Sequence, residues 1–301
     1  MAQSPAEATT SRNRRKLSRS GTSRNLLSGF LSVMTGLLTL LALIPLFSVL
    51  FMLAWQGGGK IVQSGWSLFT QLPPAAGMEG GGIGNAVVGT LVMVGIASLL
   101  SVPFGVLGGI YLAEFGPDSR LATIVRFCAK VLTGLPSVLA GLVAYAAVVL
   151  PTGTFSAPAG GVALAILMLP TILLTAESVI KSVPSRMREA AIGMGCTPTQ
   201  AVLGIILPTA LPGVMTGVML AVARAAGETA PLLFTALASD YWMSSSRLLE
   251  PTASLAYLIY DFSASPFPNQ LEMAWAASLV LVFFVLLTNI VAQIYSARHH
   301  S

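Results

Sequence analysis

The feature that most constrains this 301-residue chain is where it withholds charge: Asp, Glu, Lys and Arg make up only 9% of it, gathered between long uncharged runs. A run of about 20 apolar residues crosses a bilayer core of about 30 Å as a helix, which satisfies every backbone donor and acceptor internally. Six such spans are expected: Leu26 to Trp55, Ile83 to Ala113, Phe127 to Leu150, Gly160 to Ile180, Pro212 to Leu237 and Met273 to Tyr295. The third and fourth share one uncharged stretch from Val131 to Ala176, too long for a single crossing, and Pro151-Thr152-Gly153-Thr154 divides it. With 54% hydrophobic residues and a mean hydropathy of +0.80, a soluble globular class is excluded, and the expected fold class is an all-α polytopic membrane protein.

Orientation follows from the sixteen Lys and Arg residues. Thirteen fall in the N-terminal tail, the second-to-third connection, the fourth-to-fifth connection and the C-terminus, against Lys60 and Arg247 on the other side; Arg224 sits within a span. By the positive-inside rule both termini are cytoplasmic, and the net charge of +5 reflects topology instead of nucleic-acid binding. Residues 1–25 are basic, rich in Ser and Thr, and have little to bury, so they read as a disordered cytoplasmic tail. Residues 26–82 then form the first span and an external loop, and 83–296 the main transmembrane domain. The first apolar run exceeds a signal-peptide core and is expected to remain as a span. Cys128 and Cys196 read as reduced or buried thiols, and His299 and His300 as a solvated tail.

Catalytic signatures are absent. Gly80-Gly81-Gly82-Ile83-Gly84 has no preceding strand and no following Gly-Lys-Ser/Thr, so it reads as a flexible approach to the second span and not as a phosphate cradle. No paired-Cys, HExxH or Ser/His/Asp set is present, which predicts a non-enzyme without a metal site. If transport is active, its energy comes from another polypeptide.

Two segments carry the functional reading. In the fourth-to-fifth connection, good helix formers surround Glu189-Ala190-Ala191 and Gly195 supplies a stop. Thr197 then suits an N-cap with Pro198 at N1, and Pro208 and Pro212 interrupt the approach to the fifth span. Small Ala190 and Ala191 would permit close approach by a partner, and Glu189 would cap or pair with a basic group on it. In the fifth span, Arg224 lies twelve residues beyond Pro212, or about 18 Å along a helix, which places it near the bilayer midplane. A cation there costs about 2.5–3.5 kcal/mol unless it is paired or wetted. Glu228 follows one turn later on the same face, while Gly227 and Pro231 predict a bend. The pair fits either a structural staple between spans or an anion path, because a guanidinium fork suits phosphate-like oxyanions.

The spacing from Glu189-Ala190-Ala191 through Gly195 to Ile205-Ile206-Leu207-Pro208 resembles the EAA loop of ABC-importer permeases. That resemblance implies a type I importer permease fold, and docking of the ATPase subunit on Glu189, Ala190, Ala191, Gly195, Leu207 and Pro208. The run from Ala223 to Phe234, with Gly134-Leu135-Pro136-Ser137-Val138, resembles phosphate-specific permeases of the PstA type. It implies inorganic phosphate as substrate, Arg224 and Glu228 in its path, and the bacterial inner membrane as location. It further implies a PstC-type second permease, a PstB-type ATPase dimer holding ATP and Mg, and a PstS-type extracytoplasmic phosphate-binding protein. ATP binding would swing the loops and open the path outward, and hydrolysis would reset it. An importer of sulfate, molybdate or a phosphonate, or a secondary transporter, remains the alternative from the residues alone.

Overall fold

A computed structural model describes residues 5–243 and 248–298, so Arg247, His299 and His300 lie outside the described residues. The described elements are helical throughout, α1 (Pro5–Met52), α2 (Gly58–Ser64), α3 (Ser67–Thr70), α4 (Gly84–Ile110), α5 (Arg120–Gly134), α6 (Ser137–Ala144), α7 (Leu150–Thr152), α8 (Ala157–Ser182), α9 (Ser185–Gly193), α10 (Pro198–Ala201), α11 (Leu207–Ala226), α12 (Ala230–Leu233), α13 (Leu255–Ser263) and α14 (Pro268–Arg298). Five-residue π-helical turns link α1 to α2, extend α4 to Phe115, and join α6 to α7 and α10 to α11.

The chain divides into two units, Met1–Ala54 and Trp55–Ser301. In the first, α1 carries helix back to Pro5, through a tail whose composition predicts disorder. Once the apolar half is helical, extending it through Ala, Arg and Lys needs no new nucleus.

In the second unit, α4 and α8 form the central pair. They approach closely because glycines of α4 face side chains of α8: a Cβ on Gly105 would lie 2.8 Å from Ile172 Cγ2, and one on Gly109 2.6 Å from Ala176 Cβ. With α11 they enclose the main core, in which Met93, Leu164, Met168, Ile172, Ile180 and Ile206 are buried. A second core joins α3, the start of α4, α13 and the start of α14 around Leu68, Ile83, Leu258 and Met273. Gly80 to Gly84 are held there and do not form the loose approach expected: Gly82 N–H donates to Leu72 O and Ile83 N–H to Leu68 O, at 2.8 and 2.7 Å.

Five helices are long and apolar enough to span, Leu27–Ser64, Gly84–Phe115, Ala157–Ser182, Pro198–Ala226 and Pro268–Ile294, and α5 with α6–α7 makes a sixth only as a pair bent by 109°. The expected third span, Phe127 to Leu150, is therefore built from two helices with a break between them. Leu135 (ψ 142°) and Pro136 (ψ 135°) are extended at the break, because the residue before proline avoids helix and proline donates no hydrogen bond. Gly153, at φ +71°, closes α7, and Ser156 caps α8 by accepting from Ala159 N–H, so the division between the third and fourth spans falls where the sequence put it. Two further expectations are corrected. Helix runs from Pro198 to Ala226 without interruption at Pro208 or Pro212, since the π turn Val202–Ile206 accommodates the missing proline donor. It also stops at Ala226 instead of continuing to Leu237.

Candidate functional site

The segment between α8 and α11 is an elbow. At the end of α9, Gly195 (φ +89°) adopts the left-handed conformation, its N–H donates to Ile192 O and Cys196 N–H to Ala191 O, at 2.9 and 3.1 Å. These two bonds are the helix-terminating pattern that favours glycine. The chain restarts at Thr197, whose hydroxyl accepts from Gln200 N–H while the Gln200 side chain accepts from Thr197 N–H. Glu189 and Ala190 are exposed on the elbow, but Ala191 is fully buried within the chain, so its small size serves packing under α9. Leu207 is half-buried against the main core and Pro208 is exposed on the first turn of α11.

Arg224 and Glu228 are at the other end of α11, about 25 Å along the helix from Leu207, so the sequence-derived sites form two groups. Arg224 occupies the last helical turn, where the helix dipole favours a cation, and α11 ends at Gly227 before a short restart at Ala230–Leu233. The bend anticipated from Gly227 and Pro231 is thus a complete break. Close packing holds it: a Cβ on Gly141 of α6 would sit 2.7 Å from Pro231 Cα. Arg224 Nε lies 3.5 Å from Glu228 Oε1, with the Arg224 side chain 62% exposed and that of Glu228 18% exposed. Beside them, Leu167, Met168 and Thr171 of α8 line a crevice of about 10 Å³, room for about one water. The fork of Arg224 is therefore open to a ligand, but this chain supplies only one wall.

A second carboxylate shows what a closed pair looks like here. Glu177, buried on α8, accepts from Arg126 Nε and Lys181 Nζ, both at 2.6 Å. Arg126 also donates to Pro117 O and Leu112 O, tying α5 to the end of α4. Only the Glu177–Lys181 spacing was legible beforehand, as an i,i+4 pair. Two other pairs had no local signal. Arg188, next to Glu189, reaches Glu114 with Nε 2.9 Å from Oε1 and 3.0 Å from Oε2, and that carboxylate, outweighing partial burial, holds the guanidinium above its ordinary pKa. Lys60 Nζ donates to Asn269 Oδ1 and Glu272 Oε2 at 2.9 and 2.8 Å, joining α2 to α14. Among the described residues no group of three or more His, Cys, Asp or Glu is arranged to hold a metal.

Comparison with known proteins shows the family and the fold. Residues 105–300 match the family model described as binding-protein-dependent transport system inner membrane component. A phosphate transport system permease protein PstA from Yersinia pestis is 38% identical over 77% of this chain and 78% of its own length. The PstA of Haemophilus influenzae is 39% identical over 76% of this chain and 80% of its own length. Among solved structures, one of the inward-facing MetNI methionine ABC transporter shares the fold, with a TM-score of 0.57 at 20% identity over 71% of this chain and 94% of that one.

Proposed function

The chain belongs to the family of binding-protein-dependent transport system inner membrane components, and from that membership we propose how labour is divided along α11. The protein is a multi-pass inner-membrane permease subunit of a phosphate ABC importer, a transporter component and not an enzyme, and works with an ATPase and a substrate-binding protein. Its finer assignments are a PstC-type second permease, a PstB-type ATPase dimer that holds ATP and Mg, and a PstS-type phosphate-binding protein. Residues 1–25 are a cytoplasmic tail, 26–82 the first span and external loop, and 83–296 the permease domain, with both termini cytoplasmic as the distribution of Lys and Arg requires.

At one end of α11, the exposed Glu189 and Ala190 with the Gly195 elbow and the Leu207-Pro208 turn receive the ATPase. At the other, Arg224 binds the oxyanion. The observation that carries this reading is the contrast between the two carboxylate sites: Glu177 is sealed between two cations, whereas the Arg224 fork is 62% exposed and only loosely held by Glu228. An exposed guanidinium beside a carboxylate offers donors to a passing phosphate, and the carboxylate neutralises it when the path is empty, keeping binding weak enough for release. Closure of the ATPases on ATP moves the elbow and opens the path outward, and hydrolysis resets it.

Replacing Arg224 with Gln removes charge-assisted hydrogen bonds of about 1.5–3 kcal/mol each. Phosphate uptake by cells in which the variant complex still assembles is expected to fall at least about tenfold. Undiminished uptake would remove Arg224 from the path.

A further inference from the structure

The elbow helix α9 has one buried residue, Ala191. A single methyl group cannot fix the direction of a nine-residue helix, yet α9 must keep its aim if it is to pass a push from an ATPase into the membrane. What fixes it is polar. Arg188 spreads its guanidinium over two elements at once: Nε and Nη2 engage the Glu114 carboxylate at the end of α4, while Nη1 donates to Val183 O and Nη2 to Ile180 O, both at 3.1 Å, at the end of α8. The side chain thereby adds a donor to Ile180 O, which already accepts from Val183 N–H, and supplies one to Val183 O at the end of α8. It is only 25% exposed, and Glu114 only 8%, so solvent screens the pair little.

Both anchors belong to the closely packed α4–α8 pair. Gly105 and Gly109 let α4 and α8 interlock in direct contact. On the far side of α9 the chain turns through Gly195 at φ +89° and restarts as the helix that carries Arg224 in its last turn.

We propose that Arg188 is a positioning residue that makes α9 one mechanical body with α4 and α8, so that displacement of the elbow is delivered to the central pair through Glu114. This rests on the reading of Glu189 and its neighbours as the ATPase contact. The fork cannot be replaced by a point charge, because one ammonium cannot reach both carboxylate oxygens and two carbonyls in a plane.

The test uses the assembled importer, with this full chain, its partner permease and its ATPase in lipid nanodiscs or vesicles. The readouts are retention of the ATPase on purification and phosphate moved per ATP hydrolysed. Arg188→Gln and Glu114→Gln are each expected to retain the ATPase while phosphate moved per ATP drops at least about threefold. The double variant is expected to be no worse than the poorer single one, since the two act through each other. Arg188→Lys, which keeps the charge and the fold but not the fork, is expected to show the same loss in weaker form, and it carries the test if a Gln variant does not assemble. An unchanged ratio in Arg188→Lys and in the assembled single variants, or losses that multiply in the double variant, would overturn the proposal. Glu189→Arg separates the underlying reading: it is expected to release the ATPase, which none of the Arg188 or Glu114 variants does.

Discussion

In the proposed path Glu228 does more than neutralise a neighbour. Only 18% exposed, it faces the same crevice as the Arg224 fork. A carboxylate accepts a hydrogen bond from protonated phosphate, whereas sulfate, fully ionised, presents only acceptors and is repelled. Glu228→Gln converts that site into one that donates to both anions. The preference for phosphate over sulfate, read from competition during uptake, is therefore expected to fall at least about fivefold, because a hydrogen bond to a charged group is worth about 1.5–3 kcal/mol. An unaltered preference would take Glu228 out of selection. The Arg224–Glu228 pairing was legible from an always-charged residue within an apolar run, with a carboxylate one turn away. Their exposure was not, since it depends on which face of α11 meets α8, and Leu167, Met168 and Thr171 are more than fifty residues away in sequence.

Among the elements, the elbow was the most legible, because caps are local chemistry. Gly195 as terminator, Thr197 as N-cap and Pro198 at N1 all follow from neighbours within a few residues. The breaks in the spans were less so. Hydropathy reports that a segment is apolar but carries no direction, so the 109° turn at Leu135-Pro136 was invisible within an uncharged run. Prolines mislead in the opposite sense: Pro208 and Pro212 lie inside unbroken helix because a π turn precedes them, while Pro231, helped by Gly227, coincides with a real break. Ala191 was read as a partner-facing residue with Ala190, yet the helical rotation of about 100° between adjacent residues turns it inward. The left-handed backbone at Gly195 yields a prediction at this scale. Gly195→Ala forces a Cβ into that conformation at a cost of about 1–2 kcal/mol, and should lower thermal stability and weaken retention of the ATPase. Gly193→Ala, at a helical position with open space around it, should be neutral or slightly stabilising. Equal behaviour of the two variants in a melting and co-purification series would show that the elbow does not depend on the left-handed turn.

At the scale of the whole molecule, sequence decides the class and structure decides how the parts are tied. Charge distribution and apolar length led directly to a helical membrane protein, but the long-range connections were beyond reach: Glu114 and Arg188 are 74 residues apart, Lys60 and Glu272 212 apart, and no spacing rule links them. These pairs secure opposite ends of the bundle, leaving α11 to connect an exposed elbow at one end with an open guanidinium at the other. A crevice of about 10 Å³ is too small for a phosphate ion, so the proposed path takes its second wall from the proposed partner permease. The most direct measurement is uptake of labelled phosphate into vesicles containing the full importer with its binding protein, with ATP supplied on the ATPase side and excess sulfate as competitor. The account predicts ATP-dependent accumulation of phosphate that tenfold excess sulfate barely reduces, since protonated phosphate alone satisfies both Arg224 and Glu228. Accumulation that proceeds without ATP, or that sulfate suppresses as well as unlabelled phosphate does, would contradict it.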